Sequence, residues 1–430
     1  MLDSSPQKKN FESLLTPFEK ILLKSKTFAV SVSGGSDSMA MCLIANDWAK
    51  KHNCKIVALT VNHQLRKSAA NEAIVIGKWL ESYSIKHYCL NWDEPKPKFG
   101  LQASARQARY DLMIKWCKQK NISVLMLGHH LHDQVETFLL RVEQNSGTYG
   151  LASMNSISVR NECFLLRPML KLPKEILQKF LIDSQQDWFE DPSNYDPRFR
   201  RTHIRNIVNR LFHDRLSFKI ISNVIGQFRI LRQNIDDITN LFFKNAIKFS
   251  ALGYGTFSYK LLATLPEMVI QRILVRITHE FGGKIYPPRG KSLKRIIELV
   301  KTQNRFFFSL GGCQFVGTDE YIIFFRDQRS LIAKEVASGD EVLWGNTIKI
   351  SICGPIGQTA KLGPLGKRGW LKINKVSDYE KPINMPHTVH YSLPCLFDEY
   401  GVVHVPGINY YRPKDKINNL RIASVKYVFN

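Results

Sequence analysis

The sequence predicts an α/β protein in which a parallel sheet with covering helices fills the first half and helical and small β-rich regions follow. Three observations carry this. Apolar runs rich in β-branched residues at 27–32, 55–61 and 123–128 each lead into a segment of helical spacing, at 37–51, 69–83 and 131–144, the pattern of βαβ units. After about residue 215 the periodicity is helical, and from about residue 331 glycine, proline and short apolar runs take over. The expected domains are therefore 1–215, 216–330 and 331–430.

Each element has a local cause. "TFAVSV" (27–32) and "KIVALTV" (55–61) lack helix breakers and are bounded by polar residues, so they extend as buried strands, and "SVLMLG" (123–128) does the same. Residues 101–121 form another amphipathic helix, and "CFLLRPML" (163–170) adds a short strand. In the second domain "VIGQFRILRQNIDDITNLFFKNAIKF" and "LPEMVIQRILVRITHEF" are the clearest helices. In the third, "GNTIKISICGPIG" and "GVVHVPGINYY" read as short strands and turns.

Composition narrows the class. The 430 residues are 44% hydrophobic, enough for a substantial core. The N-terminus lacks a continuous apolar segment with a cleavage site, and no window holds about eighteen uninterrupted apolar residues. A cytoplasmic protein without membrane contact is expected. Eight cysteines stand singly at 42, 54, 89, 117, 163, 313, 353 and 395, with no CxxC pair, which argues against a disulfide scaffold, a zinc knuckle or an iron–sulfur site. The net charge is +24, spread as +10, +9 and +5 over the three domains. A large polyanion lying across several domains suits that distribution better than a basic tail would.

The loop after the first strand is Ser33-Gly34-Gly35-Ser36-Asp37-Ser38. Glycines allow a tight turn there, and the helix start offers unpaired N–H groups to an anion. No lysine follows the last glycine, so this is not a Walker A loop, and the "GKS" at 290–292 has neither the upstream glycine nor a preceding strand. A purely structural Ser/Gly turn that caps the helix, with Asp37 in its first turn, is the competing reading.

SGGSDS in this position is similar to the pyrophosphate loop of the N-type ATP pyrophosphatases, the PP-loop family. "VNHQLR" (61–66), "QASARQARY" (102–110), "GHHLHDQVET" (128–137), "GTYGLASM" (147–154), "LRPML" (166–170) and "EDPSN" (190–194) follow in the order found in the bacterial tRNA(Ile)-lysidine synthetase family. "LPCLFDEYGVVHVPG" (393–407) resembles the start of that family's C-terminal domain. The resemblance implies a Rossmann-like PP-loop ATPase domain, a helical tRNA-binding domain and a small C-terminal tRNA-recognition domain. It implies ATP and Mg²⁺ as cofactors and, as partners, free L-lysine and the isoleucine tRNA with a CAU anticodon. The reaction implied is replacement of the C2 oxygen of the wobble cytidine by the ε-nitrogen of lysine, after that oxygen has been adenylated. A homodimer stays open.

The same resemblance distributes roles. Ser33, Gly34, Gly35, Ser36, Asp37 and Ser38 would hold pyrophosphate, with Asp37 a Mg²⁺ ligand or a lysine-side carboxylate. Asp133 and Glu136, three apart on one helix face, would receive the ammonium groups of lysine, and one of them could take the proton the amine loses. His129, His130 and His132 look like a metal cluster, but adjacent histidines in a turn point in different directions, and His130 fits a phosphate or adenine contact better. His63 would also contact ATP. Arg106 and Arg109, on a helix at a spacing of three, suit phosphate oxygens, with Arg109 also in the catalytic set. Arg201 and Arg205, in the arginine-rich stretch 196–210, go to ATP phosphates or the tRNA backbone. Asp191 and Ser193 read as a turn before that helix.

Two departures from the family pattern stand out. His132 occupies a position where the family commonly has aspartate, and Arg201-Thr202-His203 replaces an Arg-Asn-Arg run. In the last domain "PLGKRGW" (364–370) and "NYYRPK" (409–414) mix aromatic and basic residues, a combination that contacts phosphates and unpaired bases or simply forms turns. A tRNA thiolation enzyme of the same superfamily, and an RNA-binding protein without catalysis, are the competing functions.

Overall fold

The computed structural model describes residues 11–64, 68–97, 100–190, 200–250, 252–283, 287–303, 305–345, 348–375, 387–412 and 419–427. The chain divides into two compact units, Met1–Arg232 and Gln233–Asn430.

In the first unit a six-stranded sheet has the order β3-β2-β1-β4-β6-β5, from Lys86–Asn91, Lys55–Asn62, Thr27–Ser31, Val124–Met126, Cys163–Leu166 and Ile157–Arg160. All neighbours are parallel except the edge hairpin of β5 and β6. β1 and β4 are buried along almost their whole length, because helices cover both faces. On one face pack Glu19–Ser25, Ser36–Lys51, Ser68–Ser82 and Lys174–Asp183, through Leu22, Met39, Met41, Leu80, Leu177 and Leu181. On the other lies Leu101–Gln119, through Tyr110, Met113, Ile114 and Cys117. Burying such aliphatic side chains contributes about 1.5–3 kcal/mol each, which the regular alternation of strand and helix makes available.

The three predicted strand–helix pairs are present, with the 123–128 strand shortened to Val124–Met126 and the 101–121 helix ending at Gln119. β3 ("KHYCLN") escaped the sequence reading because Lys86, His87 and Asn91 make three of its six residues polar and it lies at the sheet edge, where a continuous apolar run is not required.

Strand order decides where a ligand can enter. β1 is followed outward by β2 and β3, whereas β4 returns to the other side of β1. The loops leaving the carboxyl ends of β1 and β4 therefore diverge and leave a crevice. Gly128, just after β4, lines it at a close approach. A Cβ there would lie 2.8 Å from the Asp37 carbonyl oxygen and 3.0 Å from the Ser38 Cα. Helix Leu131–Glu143 packs on Arg200–His213 and the start of Arg215–Asn245 through Val135, Ile204, Val208, Phe218 and Ile225.

The region expected to be helical from 216 to 330 contains helices Arg215–Asn245, Glu267–Glu280 and Gly290–Thr302, but also a five-stranded antiparallel sheet, β7-β8-β11-β10-β9. Its strands β7 (Lys248–Ser250), β8 (Tyr254–Ser258), β9 (Phe306–Leu310), β10 (Cys313–Gly317) and β11 (Tyr321–Arg326) are short, and the amphipathic period of the flanking helices dominates any longer window. From residue 334 a second five-stranded sheet and a three-stranded sheet share the core of Trp344, Ile350, Leu362, Leu396 and Val403.

Gly128→Ala should push the 33–38 loop away from β4, lowering the thermal midpoint by several degrees for about 1–3 kcal/mol of overpacking. Equal midpoints for variant and parent would show that the close approach is dispensable.

Candidate active site

A cleft of about 480 Å³ opens at the carboxyl ends of β1 and β4. Its walls come from the 33–38 loop, His63, Arg106 and Arg109, Gly128 and His129, Asp133, Glu136 and Thr137, Lys174, the 188–190 segment, and Thr202 with Arg205.

The loop is held by its own polar groups. The Ser33 N–H donates to Ser38 Oγ at 3.1 Å, and Ser38 Oγ donates to the Gly35 carbonyl at 2.9 Å. Gly34 has φ of +85°, a left-handed conformation, and a Cβ there would meet Ile76 Cδ1 at 2.8 Å. Its carbonyl accepts the Phe189 N–H at 2.8 Å, which ties the 188–190 segment to the loop. Helix Ser36–Lys51 then starts at the cleft with Asp37 in its first turn. Ser33, Gly35, Ser36, Asp37 and Ser38 all line the cleft, and Gly34 shapes the turn from behind.

His130 joins the two loops. Its Nε2 lies 3.3 Å from Asp37 Oδ2 and 3.6 Å from Asp133 Oδ2. Burial pushes the imidazole pKa down, but the Asp133 and Asp37 carboxylates outweigh it and hold the value up at about 9. Nδ1 meanwhile accepts the His132 N–H at 3.2 Å as the N-cap of helix Leu131–Glu143, which requires a lone pair there. The cap therefore opposes the second protonation that the carboxylates favour.

Asp133 completes that cap by accepting the His130 N–H on Oδ2 at 3.0 Å. Burial pushes its carboxyl pKa up, and the fields of His130 and His129, that N–H and Arg205 bring it down to about 2. Asp133 therefore serves the helix cap and faces the cleft at once. The neighbouring charges thus favour the ionised form of Asp133. Glu136 is almost fully enclosed, with Oε2 3.3 Å from Arg205 Nη2. Asp133 and Glu136 face the cleft together, and both already have cations beside them.

The three adjacent histidines diverge. His129 faces the arginine side, where burial first, then Arg167, Arg106 and Arg109 against the opposing field of Asp133, bring its pKa down to about 3. His132 turns away from the cleft, its ring centroid 4.6 Å from Phe212 and 5.1 Å from Phe218 and its Nε2 3.5 Å from Glu175. Burial, then the charge of His130, hold it neutral with a pKa of about 4. An aspartate at that position would meet two phenyl rings, which explains why an aromatic base fits this chain there.

Arg106 and Arg109 line the opposite wall. They flank the Tyr110 ring, and together with Arg167 they lower its phenol pKa despite burial, which pushes it up. That wall is strongly electropositive. His63 lines the cleft edge-on to Trp92, its pKa lowered by burial and then by Arg109 and Lys96. Arg201 lies in helix Arg200–His213, but its side chain, with Asp191 and Ser193, lies outside the described residues.

Lys174, Glu72, Trp188 and Phe189 line the cleft without having been singled out from the sequence. Each is an ordinary helix or loop residue by spacing, and only the fold brings it here. The converse holds in the C-terminal unit. Trp370, in the stretch that reads as either an RNA contact or a turn, is buried in helix Gly366–Ile373 and stacked on His390 at 3.8 Å. Arg412 is committed to a buried ion pair with Asp398. Both are structural because an indole and a guanidinium that are enclosed cannot reach a phosphate.

Known proteins resemble this chain over most of its length. A family model described as a PP-loop domain matches residues 4–211. The tRNA(Ile)-lysidine synthase of Wolbachia pipientis wMel is 31% identical over 387 residues, covering 89% of each chain. The proteins of that name from the Wolbachia of Brugia malayi and from Rickettsia felis are each 29% identical, over 389 and 396 residues. Among solved structures, the U34-tRNA thiolase NcsA from Methanococcus maripaludis with its [4Fe-4S] cluster matches at a TM-score of 0.44 and 17% identity, covering 52% of this chain and 78% of that one. Among the described residues, no helix is long and apolar enough to cross a membrane.

The His130 tie predicts a pH window. A raised histidine pKa contributes stability that is complete below its ordinary value of about 6.5 and is lost as pH rises through about 9. A depressed carboxyl pKa contributes stability that is complete above about 4 and is lost as pH falls through about 2. The melting temperature of His130→Gln relative to the parent should show its largest deficit between about pH 4 and 6.5, shrinking toward pH 9. A deficit independent of pH would remove the ion pairs from the account.

Proposed function

We propose that this chain, which belongs to the tRNA(Ile)-lysidine synthase family, ligates free L-lysine to C2 of the wobble cytidine of the CAU-anticodon isoleucine tRNA, with ATP as the energy source. The cytidine O2 attacks the α-phosphorus of ATP, and pyrophosphate leaves. The ε-amine of lysine then adds at C2, the C2–O bond breaks, AMP departs with that oxygen, and the nitrogen gives up its proton. The product, lysidine, moves codon reading from AUG to AUA.

The observation that carries this is a PP-loop cleft holding two ionised or enclosed carboxylates opposite an arginine wall, in a chain similar over 89% of its length to a named lysidine synthase. Ser33, Gly35, Ser36 and Ser38 suit the departing pyrophosphate, because the loop and the helix start that line the cleft form a place that favours an anion. Arg106 and Arg109 suit the remaining phosphate, with Arg109 nearest in role to the α-phosphate that changes charge. His63 and His130 are at the ATP end, and Arg201 and Arg205 serve ATP phosphates or the tRNA backbone.

Asp133 and Glu136 suit the lysine ammonium groups. Since Asp133 is ionised at all working pH values, it holds the amine end by charge. Mg²⁺ fits the oxygen donors present. Asp37 would hold it, together with phosphate oxygens, and the ion would neutralise charge gathering on the pyrophosphate.

The +24 charge spread over the whole chain supports a tRNA spanning more than the catalytic unit. We assign 216–330 to tRNA binding and 331–430 to the recognition that separates this tRNA from the methionine tRNA sharing its anticodon. A cytoplasmic location follows from the substrate. A second copy of the chain is not required by this reaction.

Purified protein with labelled lysine, ATP and a transcript of the isoleucine tRNA should place lysine in RNA and release AMP. AMP release that depends instead on a sulfur donor, or RNA binding with no ATP turnover, would overturn the proposal. Glu136→Gln should raise the KM for lysine about 10- to 100-fold, the loss of one charged hydrogen bond, while tRNA affinity stays within about twofold. Asp133→Asn keeps a cap acceptor and so isolates the charge, whereas Asp133→Ala also forfeits about 1 kcal/mol of helix capping.

A further inference from the structure

The 33–38 loop contains no cation, although the pyrophosphate it would hold carries several charges. Lys174 is placed to supply one. It lines the same cleft as Ser33–Ser38 and Asp37, at the first position of helix Lys174–Asp183. Its stem is anchored, since Pro173 precedes it with φ of −63° and its own N–H donates to His132 Nδ1 at 3.4 Å.

The charge of Lys174 is uncommitted. Among the described residues no carboxylate lies within 4.0 Å of its ammonium, whereas Arg205 has Glu136 and His130 has Asp37 and Asp133. Its neighbour in sequence, Glu175, is turned to His132. A half-buried lysine that faces a cleft with anions elsewhere on the wall and none against itself is arranged for an anion that arrives with the ligand. Its field is felt at His130 and His132, both of which it pushes toward the neutral form.

We propose that Lys174 contacts the β- and γ-phosphates of ATP and the departing pyrophosphate, taking the part that a lysine inside the loop plays in other phosphate-binding loops. The proposal rests on the ATP-cleaving reading above. Histidine at 132 is part of the device, because its Nδ1 receives the Lys174 N–H that sets the stem.

The test is binding of ATP, inorganic pyrophosphate and AMP to the full chain with Mg²⁺. Lys174→Met and Lys174→Gln should each weaken ATP and pyrophosphate about 10- to 100-fold, as expected for one charged contact. AMP affinity should stay within about twofold, which also reports that the cleft is folded, and Lys174→Arg should recover most of the ATP affinity. Unchanged pyrophosphate affinity in both neutral variants, or equal losses for pyrophosphate and AMP, would overturn the assignment. If the parent protein bound neither ATP nor pyrophosphate, the ATP-cleaving reading itself would fall.

Discussion

The imidazole of His130, wedged between the Asp37 and Asp133 carboxylates, is the contact on which the cleft depends. Asp37 belongs to the helix that follows β1, and Asp133 to the helix that follows β4. The strand order makes those two loops diverge, and without a bridge nothing would set their separation. One ring with two carboxylates does so, and its own backbone N–H caps the second helix through Asp133. Gly128 lets the loops come this close, since any side chain there would strike the Asp37 carbonyl.

That bridge has a chemical consequence. The charges in the cleft are already compensated within the protein, with Glu136 against Arg205 and Asp133 against His130. An ammonium group entering between the carboxylates competes with existing cations and does not meet naked anions. Such preorganised charge keeps Asp133 ionised and leaves little to reorganise when a cationic substrate binds. On the other wall Arg106 and Arg109 crowd Tyr110, and burial first, then the neighbouring arginines, hold His129 neutral. Arginines therefore gather on one side of the cleft, and carboxylates with their own cations on the other.

In the C-terminal unit aromatic and basic residues do structural work. Trp370 on His390, and Arg412 on Asp398, fill and tie the small sheets. The positive charge available to a polyanion there comes from exposed lysines and arginines spread over the surface, in keeping with a chain whose excess charge is distributed and not concentrated in one motif.

Much of the catalytic unit was legible in the sequence. Alternating strand and helix periods, a glycine turn behind a buried strand, and Asp133 and Glu136 three apart on a helix are all local, and local patterns survive folding because they are set by steric and hydrophobic period. The PP-loop resemblance added roles that no spacing carries. Tertiary structure decided the rest. It made Asp133 a helix cap as well as a cleft anion, turned His132 into an aromatic packing partner, brought Lys174 from beyond β6 to face the loop, and enclosed Trp370. None of these follows from sequence position, because each depends on which residues distant in the chain occupy the space beside it. Sequence by itself determined the elements and the chemical inventory; the strand order, by sending the loops after β1 and β4 apart, decided which members of that inventory meet.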